Sequence, residues 1–423
     1  MSVIPQRLLP DTASVASDGN LSVGDCTIDA LAAEHGTPLF VYDEVHLRNR
    51  AREAVEAFGA DRVIYATKAF LCGAMARLAH DEGLMLDVAT GGELFAVRHA
   101  GVPGDRCVFH GNNKSSDELR FAIEEGVRHI VVDSFDEIDK LEQLHREGHP
   151  VPRVQVRITP GVHVHTHEFV QTGQDDSKFG FNLRNGDAMR AIERLSRSTA
   201  VDFVGIHCHI GSNVFAAENF AKASQVMVDL FNSLNVPELT LGGGLGVAYT
   251  SDETAPTITQ WANVLRGATS TLRAGSHVFV EPGRSIVASA AVTVYRVGTV
   301  KHIEGIRTYI AVDGGMSDNP RPVLYGSGYE IFDPTRAHSD RTDVARVVGK
   351  HCESGDILIN DAAVPPHVAV GDLLATPVTG AYGYSMGTNY NKVPRPAIVF
   401  VRDGASRVVV RRETYSDLVR LDS

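Results

Sequence analysis

Residues 129–146 read His-Ile-Val-Val-Asp-Ser-Phe-Asp-Glu-Ile-Asp-Lys-Leu-Glu-Gln-Leu-His-Arg. A short β-branched run, 129–133, gives way to helical spacing of the apolar residues over 135–146, which reads as one strand followed by one helix. The unit repeats in both directions along the chain. Short apolar runs at 62–67, 85–89, 106–110, 154–159, 202–209, 238–241 and 277–280 predict seven further strands with amphipathic stretches between them. In one such stretch Ser115-Ser116-Asp117-Glu118 supplies an N-cap and an acidic first turn, and Gly126 a stop, so a helix is expected over 116–125. Eight strands that are apolar throughout, each followed by a helix, predict an α/β fold built on a closed (β/α)8 TIM-type barrel. An open doubly wound sheet fits less well, because no Gly-x-Gly-x-x-Gly follows the first strand.

Beyond about residue 289 the helical period disappears. Runs at 292–297, 308–312, 356–359 and 397–401 alternate with Gly, Asp and Asn turns and predict a second, mostly β, Greek-key-like domain. The run 39–42 precedes the barrel strands and is left over, so it is assigned to the β domain, where it would tie the two chain ends together. The expected division is 45–288 for the barrel and 1–44 plus 289–423 for the β domain.

Composition narrows the function classes. Apolar residues at 43% and charged residues at 22% of 423 describe a folded chain. Forty basic against fifty-two acidic residues give a net charge of -12 without a long run of one sign, which disfavours a nucleic-acid partner and leaves small-molecule chemistry. The longest apolar stretch, 286–297, is interrupted by Ser289 and too short to span a bilayer, and residues 1–20 hold no signal-peptide core. A cytoplasmic protein with no membrane partner is therefore expected. Five scattered cysteines, Cys26, Cys72, Cys107, Cys208 and Cys352, predict reduced thiols rather than disulfides or a thiolate zinc site.

In a β/α barrel the working residues lie where strands end at the carboxyl face. Lys68 closes the first strand, Asp87 lies late in the second, Arg157 lies in the fifth and His209 closes the sixth; Gly242-Gly243-Gly244 follows the seventh and Glu281-Pro282-Gly283-Arg284 the eighth. A lysine in such a mouth can form a Schiff base; the bland alternative is a surface lysine at a strand end. Glycines let backbone N–H groups approach an anion, and barrels bind phosphate in the loops after strands seven and eight. A triple glycine alone is only a flexible turn, but here Arg284 adjoins it. Phosphate and lysine together point to pyridoxal phosphate, whose ring is an electron sink. Glu281 would then keep the pyridine nitrogen protonated, and His209 would stack on the ring. The alternating His163, His165 and His167, and His207-Cys208-His209, raise a zinc reading. No carboxylate or supporting partner stands at an obvious spacing, so no metal is expected.

These residues sit in motifs that resemble the fold-type III pyridoxal-phosphate decarboxylases. The motifs are Tyr65-Ala66-Thr67-Lys68-Ala69, Asp87-Val88-Ala89-Thr90-Gly91-Gly92-Glu93-Leu94, His209-Ile210-Gly211-Ser212, Gly242-Gly243-Gly244-Leu245-Gly246, Glu281-Pro282-Gly283-Arg284, Cys352-Glu353-Ser354-Gly355-Asp356 and Gly380-Ala381-Tyr382. They run from end to end of the chain. The resemblance implies pyridoxal 5'-phosphate joined to Lys68 as a Schiff base and stacked by His209. Ser212, Gly242, Gly243, Gly244 and Arg284 would hold the phosphate and Glu281 the pyridine nitrogen, with Asp87, Gly283 and Tyr382 also against the cofactor. It implies, further, a homodimer in which Cys352, Glu353 and Tyr382 complete the active site of the partner chain.

The small-molecule substrate that the resemblance implies is an amino acid, meso-2,6-diaminopimelate, decarboxylated to L-lysine. Its distal head carries a carboxylate that calls for an arginine and an ammonium that calls for an acid. In the stretch 316–325 the resemblance assigns Arg321 and Tyr325 to that carboxylate, Glu353 to the ammonium, and Arg284 and Tyr382 also to substrate. Ornithine has no distal carboxylate, so Arg321 argues against a diamine-forming enzyme; alone, it would be a surface arginine. Cys352 becomes the general acid that returns a proton to the α-carbon, although a lone cysteine is more often an inert buried thiol.

Departures from the family are few. Lys350-His351 is less apolar than expected, Thr159 stands for Asn, and Asn213 follows Ser212 where Gln is common. None removes a group with an assigned role, though Lys350 and His351 bear on the thiol of Cys352. The polar loop 165–179 is expected to act as a lid. Two rivals stand beside this reading: a decarboxylase of another amino acid with a terminal carboxylate, and a non-catalytic pyridoxal-phosphate-binding homologue. Intact Cys352, Arg321 and Glu353 argue against the second.

Overall fold

The computed structural model describes residues 3–161, 176–211, 215 and 217–423. Its contacts divide the chain into two units, one of Arg50–Gly246 with Ala255–Ser285 and one of Met1–Asn49, Val247–Thr254 and Ile286–Ser423.

In the first unit the strands Ile64–Ala66, Met85–Val88, Cys107–Phe109, His129–Val132, Arg153–Thr159, Asp202–His209, Glu238–Gly242 and His277–Val280 lie side by side in chain order. Every neighbouring pair is parallel. A parallel bridge from Val63 to Val280 brings the last strand back to the first, so the sheet is the nearly closed barrel that the sequence predicts. Both faces of the sheet are covered, and Ile64, Met85, Val108, Val131 and Phe279 form one buried cluster. The strands are not apolar throughout as expected, however: Arg153–Thr159 and Glu238–Gly242 alternate buried polar residues, Gln155, Arg157, Glu238 and Thr240 among them, with apolar ones. Local chemistry fixes the helices between them. The helix Ser116–Glu124 begins with a capping box, Ser115 Oγ accepting from the Glu118 N–H and the Glu118 carboxylate from the Ser115 N–H. It stops before Gly126, at φ 66°. The helix Phe135–Arg146 starts on Ser134, whose hydroxyl accepts from the Glu137 N–H.

The second unit is built on a mixed sheet. Leu39–Asp43, the run left over from the barrel, lies in its middle, antiparallel to Ala291–Ile303 and parallel to Ala397–Arg402. It is buried along its whole length, which explains an unbroken apolar run so early in the chain. Ala291–Ile303 is longer than expected because its second half is largely exposed and pairs with Arg307–Val312, so burial does not force apolar residues there. Arg307–Val312, Asp343–Val348 and Ile357–Val364 continue the sheet over a core of Tyr295, Val297, Ile310, Val347 and Leu374. No helix among the described residues is long and apolar enough to cross a membrane, and none of the five cysteines is in a disulfide.

Candidate active site

In the barrel unit the expected residues gather at the carboxyl ends of the strands. Lys68 sits in the single 3-10 turn Thr67–Ala69 that follows the first strand. Its side chain is 43% exposed, and Nζ lies 3.9 Å from Asp87 Oδ2. At the end of the eighth strand Glu281 is buried between imidazoles: His110 Nε2 lies 3.1 Å from Oε1, His207 Nε2 3.0 Å from Oε2, and His209 Nδ1 3.9 Å from Oε2. Arg157, also buried, stacks over the Phe179 ring at 4.4 Å and pairs with Asp133 at 3.8 Å. Thr159, the residue that departs from the family, donates to the Phe179 carbonyl at 2.7 Å.

Burial alone would raise the Glu281 carboxyl, but His207 and His110 outweigh it and hold the group well below the ordinary carboxylate range. Burial drives the imidazoles the other way. His207 is lowered, and His209 is pushed down to about 3, so both are neutral at neutral pH and can donate an N–H to the anion. Glu281 Oε1 has no aligned hydrogen bond among the described residues: a buried anionic oxygen with room for a donor.

The glycines keep this place open. A Cβ on Gly242 would lie 2.2 Å from Glu281 Oε2, and one on Gly243, at φ 150°, would meet the Phe220 ring at 2.8 Å. The Gly244 N–H donates to the Gly211 carbonyl at 2.7 Å, which ties the glycine loop to the end of the sixth strand. Gly283 packs against Ala66, and the buried Arg284 opens the short helix Arg284–Val287. An accessible amine, a glycine loop and a buried anion offering one oxygen fit pyridoxal phosphate: aldehyde, phosphate and pyridine N–H respectively. Ser212, the neighbouring Asn213, the histidines His163, His165 and His167, and most of the loop 165–179 lie outside the described residues.

The remaining candidates belong to the second unit. Arg321 opens the helix Arg321–Tyr325 and is 5% exposed. Its guanidinium carbon stacks 4.1 Å from the Tyr249 ring centroid, and Nη1 donates to the Tyr329 hydroxyl at 2.7 Å. Among the described residues it has no carboxylate partner. Tyr325 and Tyr382 are half-buried, and Tyr382 holds φ at 61°. Cys352 and Glu353 are exposed on a turn in which the Cys352 N–H donates to Asn391 Oδ1 at 2.9 Å. The adjacent His351 is buried and turned toward Asp356, 2.8 Å away.

Sequence reasoning missed His110, His207, Tyr249 and Tyr329 as members of these groups. His207 was visible, two residues before His209 on one strand and so on the same face, and was weighed only as a metal ligand. His110, His207 and Glu281 do form a cluster with metal-ligand spacing. His110 stands at a strand end, the position that singled out Lys68. Tyr249 had no signal, since the guanidinium it stacks on is distant in sequence, and Tyr329, only eight residues after Arg321, carries no local pattern that turns its hydroxyl back toward it.

Comparison with known proteins agrees with this chemistry. Residues 44–288 match the family model of the pyridoxal-dependent decarboxylases, pyridoxal binding domain. The chain is 45% identical to the diaminopimelate decarboxylase of Bacillus subtilis, over 98% of each protein. It is 42% identical to that of Corynebacterium efficiens, over 99% of this chain and 95% of the relative. The crystal structure of diaminopimelate decarboxylase from M. jannaschii in complex with L-lysine superposes with a TM-score of 0.90 at 31% identity, covering 98% of both chains.

Proposed function

Because the chain belongs to the diaminopimelate decarboxylase family of the pyridoxal-dependent decarboxylases, we propose that it removes the carboxylate from the D-configured centre of meso-2,6-diaminopimelate, releasing carbon dioxide and L-lysine. One observation carries the choice of substrate: Arg321 is a buried guanidinium without an acidic partner among the described residues. A buried cation is costly until an anion meets it. The distal carboxylate of diaminopimelate is such an anion, planar and able to take two parallel N–H bonds. A substrate ending in an ammonium group would be repelled.

Pyridoxal 5'-phosphate, when bound, supplies an electron-poor ring that accepts the electron pair freed as carbon dioxide leaves. The residues of the chain do the rest. Lys68 presents its amine to the aldehyde, with Asp87 beside it. Glu281, ionised, holds a proton at the pyridine nitrogen, and neutral His209 offers a flat face to the ring. Ser212, the Gly242–Gly244 loop and Arg284 hold the phosphate, and Gly283 and Tyr382 line the cofactor. Arg321 and Tyr325 hold the distal carboxylate, Glu353 the distal ammonium, and Arg284 and Tyr382 also touch substrate. Cys352 Sγ gives a proton to the α-carbon once carbon dioxide has left. In this reading a barrel domain of 45–288 binds the cofactor. A β domain of 1–44 and 289–423 serves the substrate and a homodimer interface, offering Cys352, Glu353 and Tyr382 to the partner's barrel, in the cytosol.

Purified protein given meso-diaminopimelate and pyridoxal phosphate is expected to yield carbon dioxide and L-lysine in equal amounts; no release overturns the assignment. Lys68→Ala is expected to retain no covalently linked cofactor after borohydride reduction, and linkage to a different lysine would overturn the role of Lys68.

A further inference from the structure

We infer that Tyr249 and Tyr329 are the positioning residues that make Arg321 selective for a substrate with a distal carboxylate. The inference rests on the assignment of Arg321 to that carboxylate and adds how its guanidinium is aimed. An arginine side chain is long and flexible, and its forked recognition of a carboxylate works only when its plane is fixed. Two contacts fix it. Tyr249 lies under the face, with the guanidinium carbon 4.1 Å from the ring centroid, a stacking distance with cation–π attraction. Tyr329 takes an edge, its hydroxyl accepting from Nη1 at 2.7 Å. The two rings brace each other edge to face, centroids 5.2 Å apart, and are themselves buried, at 4% and 5% exposure.

A face contact stops the plane from tilting, and an in-plane contact stops it from turning. One of the five N–H donors of an arginine is used by Tyr329, and the remaining donors stay in the same fixed plane for a carboxylate. Neither side chain is a carboxylate, so the cage orients the charge without neutralising it. A carboxylate in place of Tyr329 would satisfy Arg321 internally and abolish its need for substrate. Tyr249 also lies three residues beyond Gly246, the end of the glycine loop. Tyr249 belongs to the short piece Val247–Thr254, which packs with the second unit, as Arg321 and Tyr329 do.

The holoenzyme variants Tyr329→Phe, Tyr249→Leu and Tyr249→Phe test this, with thermal melting to verify folding. Tyr329→Phe and Tyr249→Leu are expected to raise KM for meso-diaminopimelate about tenfold with a much smaller change in kcat. Tyr249→Phe, which keeps the ring, is expected to restore most of the loss. Competitive inhibition separates aim from general damage. L-Lysine carries the carboxylate in question and should inhibit about tenfold more weakly, whereas cadaverine, which has none, should inhibit as it does the parent. Unchanged KM and unchanged L-lysine inhibition, or equal weakening toward L-lysine and cadaverine, would overturn the inference. Arg321→Lys keeps the two failures apart. If it binds meso-diaminopimelate as well as the parent, the clamp itself is wrong; if it binds poorly while the tyrosine variants bind normally, only the cage is wrong.

Discussion

Glu281 is a carboxylate that burial would protonate and that two imidazoles keep ionised, and its usefulness depends on the outcome of that contest. An anion fixed 3.0 Å from His207 and 3.1 Å from His110 costs no reorganisation when a pyridinium N–H arrives. Glu281→Gln keeps the shape and removes the charge. It is expected to lower kcat on the order of 10²–10³-fold, with KM nearly unchanged and the absorbance band of the bound cofactor displaced. Glu281 is held well below its ordinary value and His209 at about 3, so neither titrates near neutrality. The deficit should therefore be the same at every pH from about 5 to 8; a deficit that disappears within that range in steady-state kinetics would refute the fixed anion. At this scale the sequence marks residues by strand-end position, which is why Lys68, His209 and Glu281 are legible. What lies opposite them is not, because His110 and Glu281 are 171 positions apart and only closure of the barrel makes them neighbours.

Loops show the same limit one level up. Asp356 is buried and accepts three N–H groups: that of Met316 at 2.7 Å, that of His351 at 2.9 Å, and His351 Nδ1 at 2.8 Å. One carboxylate thereby splices the segment leading into Arg321 to the turn that carries Cys352 and Glu353. The close approach of Gly315 and Gly349, where a Cβ would collide with Asp356, leaves no slack in the joint. Asp356→Ala is expected to cost roughly 2–5 kcal/mol of stability, the range for stranding buried donors and breaking a buried pair. It should also raise KM and lower kcat together, because both segments lose their place. Denaturant melts and steady-state kinetics read the two effects; a loss of stability with unchanged kcat and KM would show that the splice serves the fold alone. Strand cores and the capping box at Ser115 are local patterns and were readable, as was the stop at Gly126. The splice and the adherence of Val247–Thr254 to the second unit carry no local pattern, since each exists only in the contact it makes.

Stability against pH is a property of the whole molecule, and its two units pull in opposite directions. In the barrel unit Glu238 is met by residues of other strands: Arg153 and Gln155 donate to it at 2.9 Å and 3.2 Å, and His129 Nε2 lies 2.6 Å away. Burial would raise it, but His129 and the nearby Arg153 and Arg128 bring it down to about 2. Burial also lowers His129, His207 and His209. All four groups bind protons more readily in the unfolded chain. Their contribution is full above the ordinary values, 6.5 for histidine and 4.5 for Glu238, and is lost as pH falls through them toward the folded values. In the second unit Asp318 is buried beneath the Tyr295 hydroxyl, 2.6 Å away, and burial raises it to about 7. Its folded form holds a proton that the unfolded form has released, so its contribution is full below 3.8 and is lost as pH rises to about 7. Glu238→Gln should therefore lower Tm at neutral pH, for a loss of roughly 3–5 kcal/mol, yet soften the fall between pH about 5 and about 3. Asp318→Asn should soften the decline between pH about 4 and about 7 and leave the acid side below it as it was. Tm profiles of the parent and both variants decide it: parallel curves would mean that these carboxylates do not set the pH range in which the enzyme stays folded.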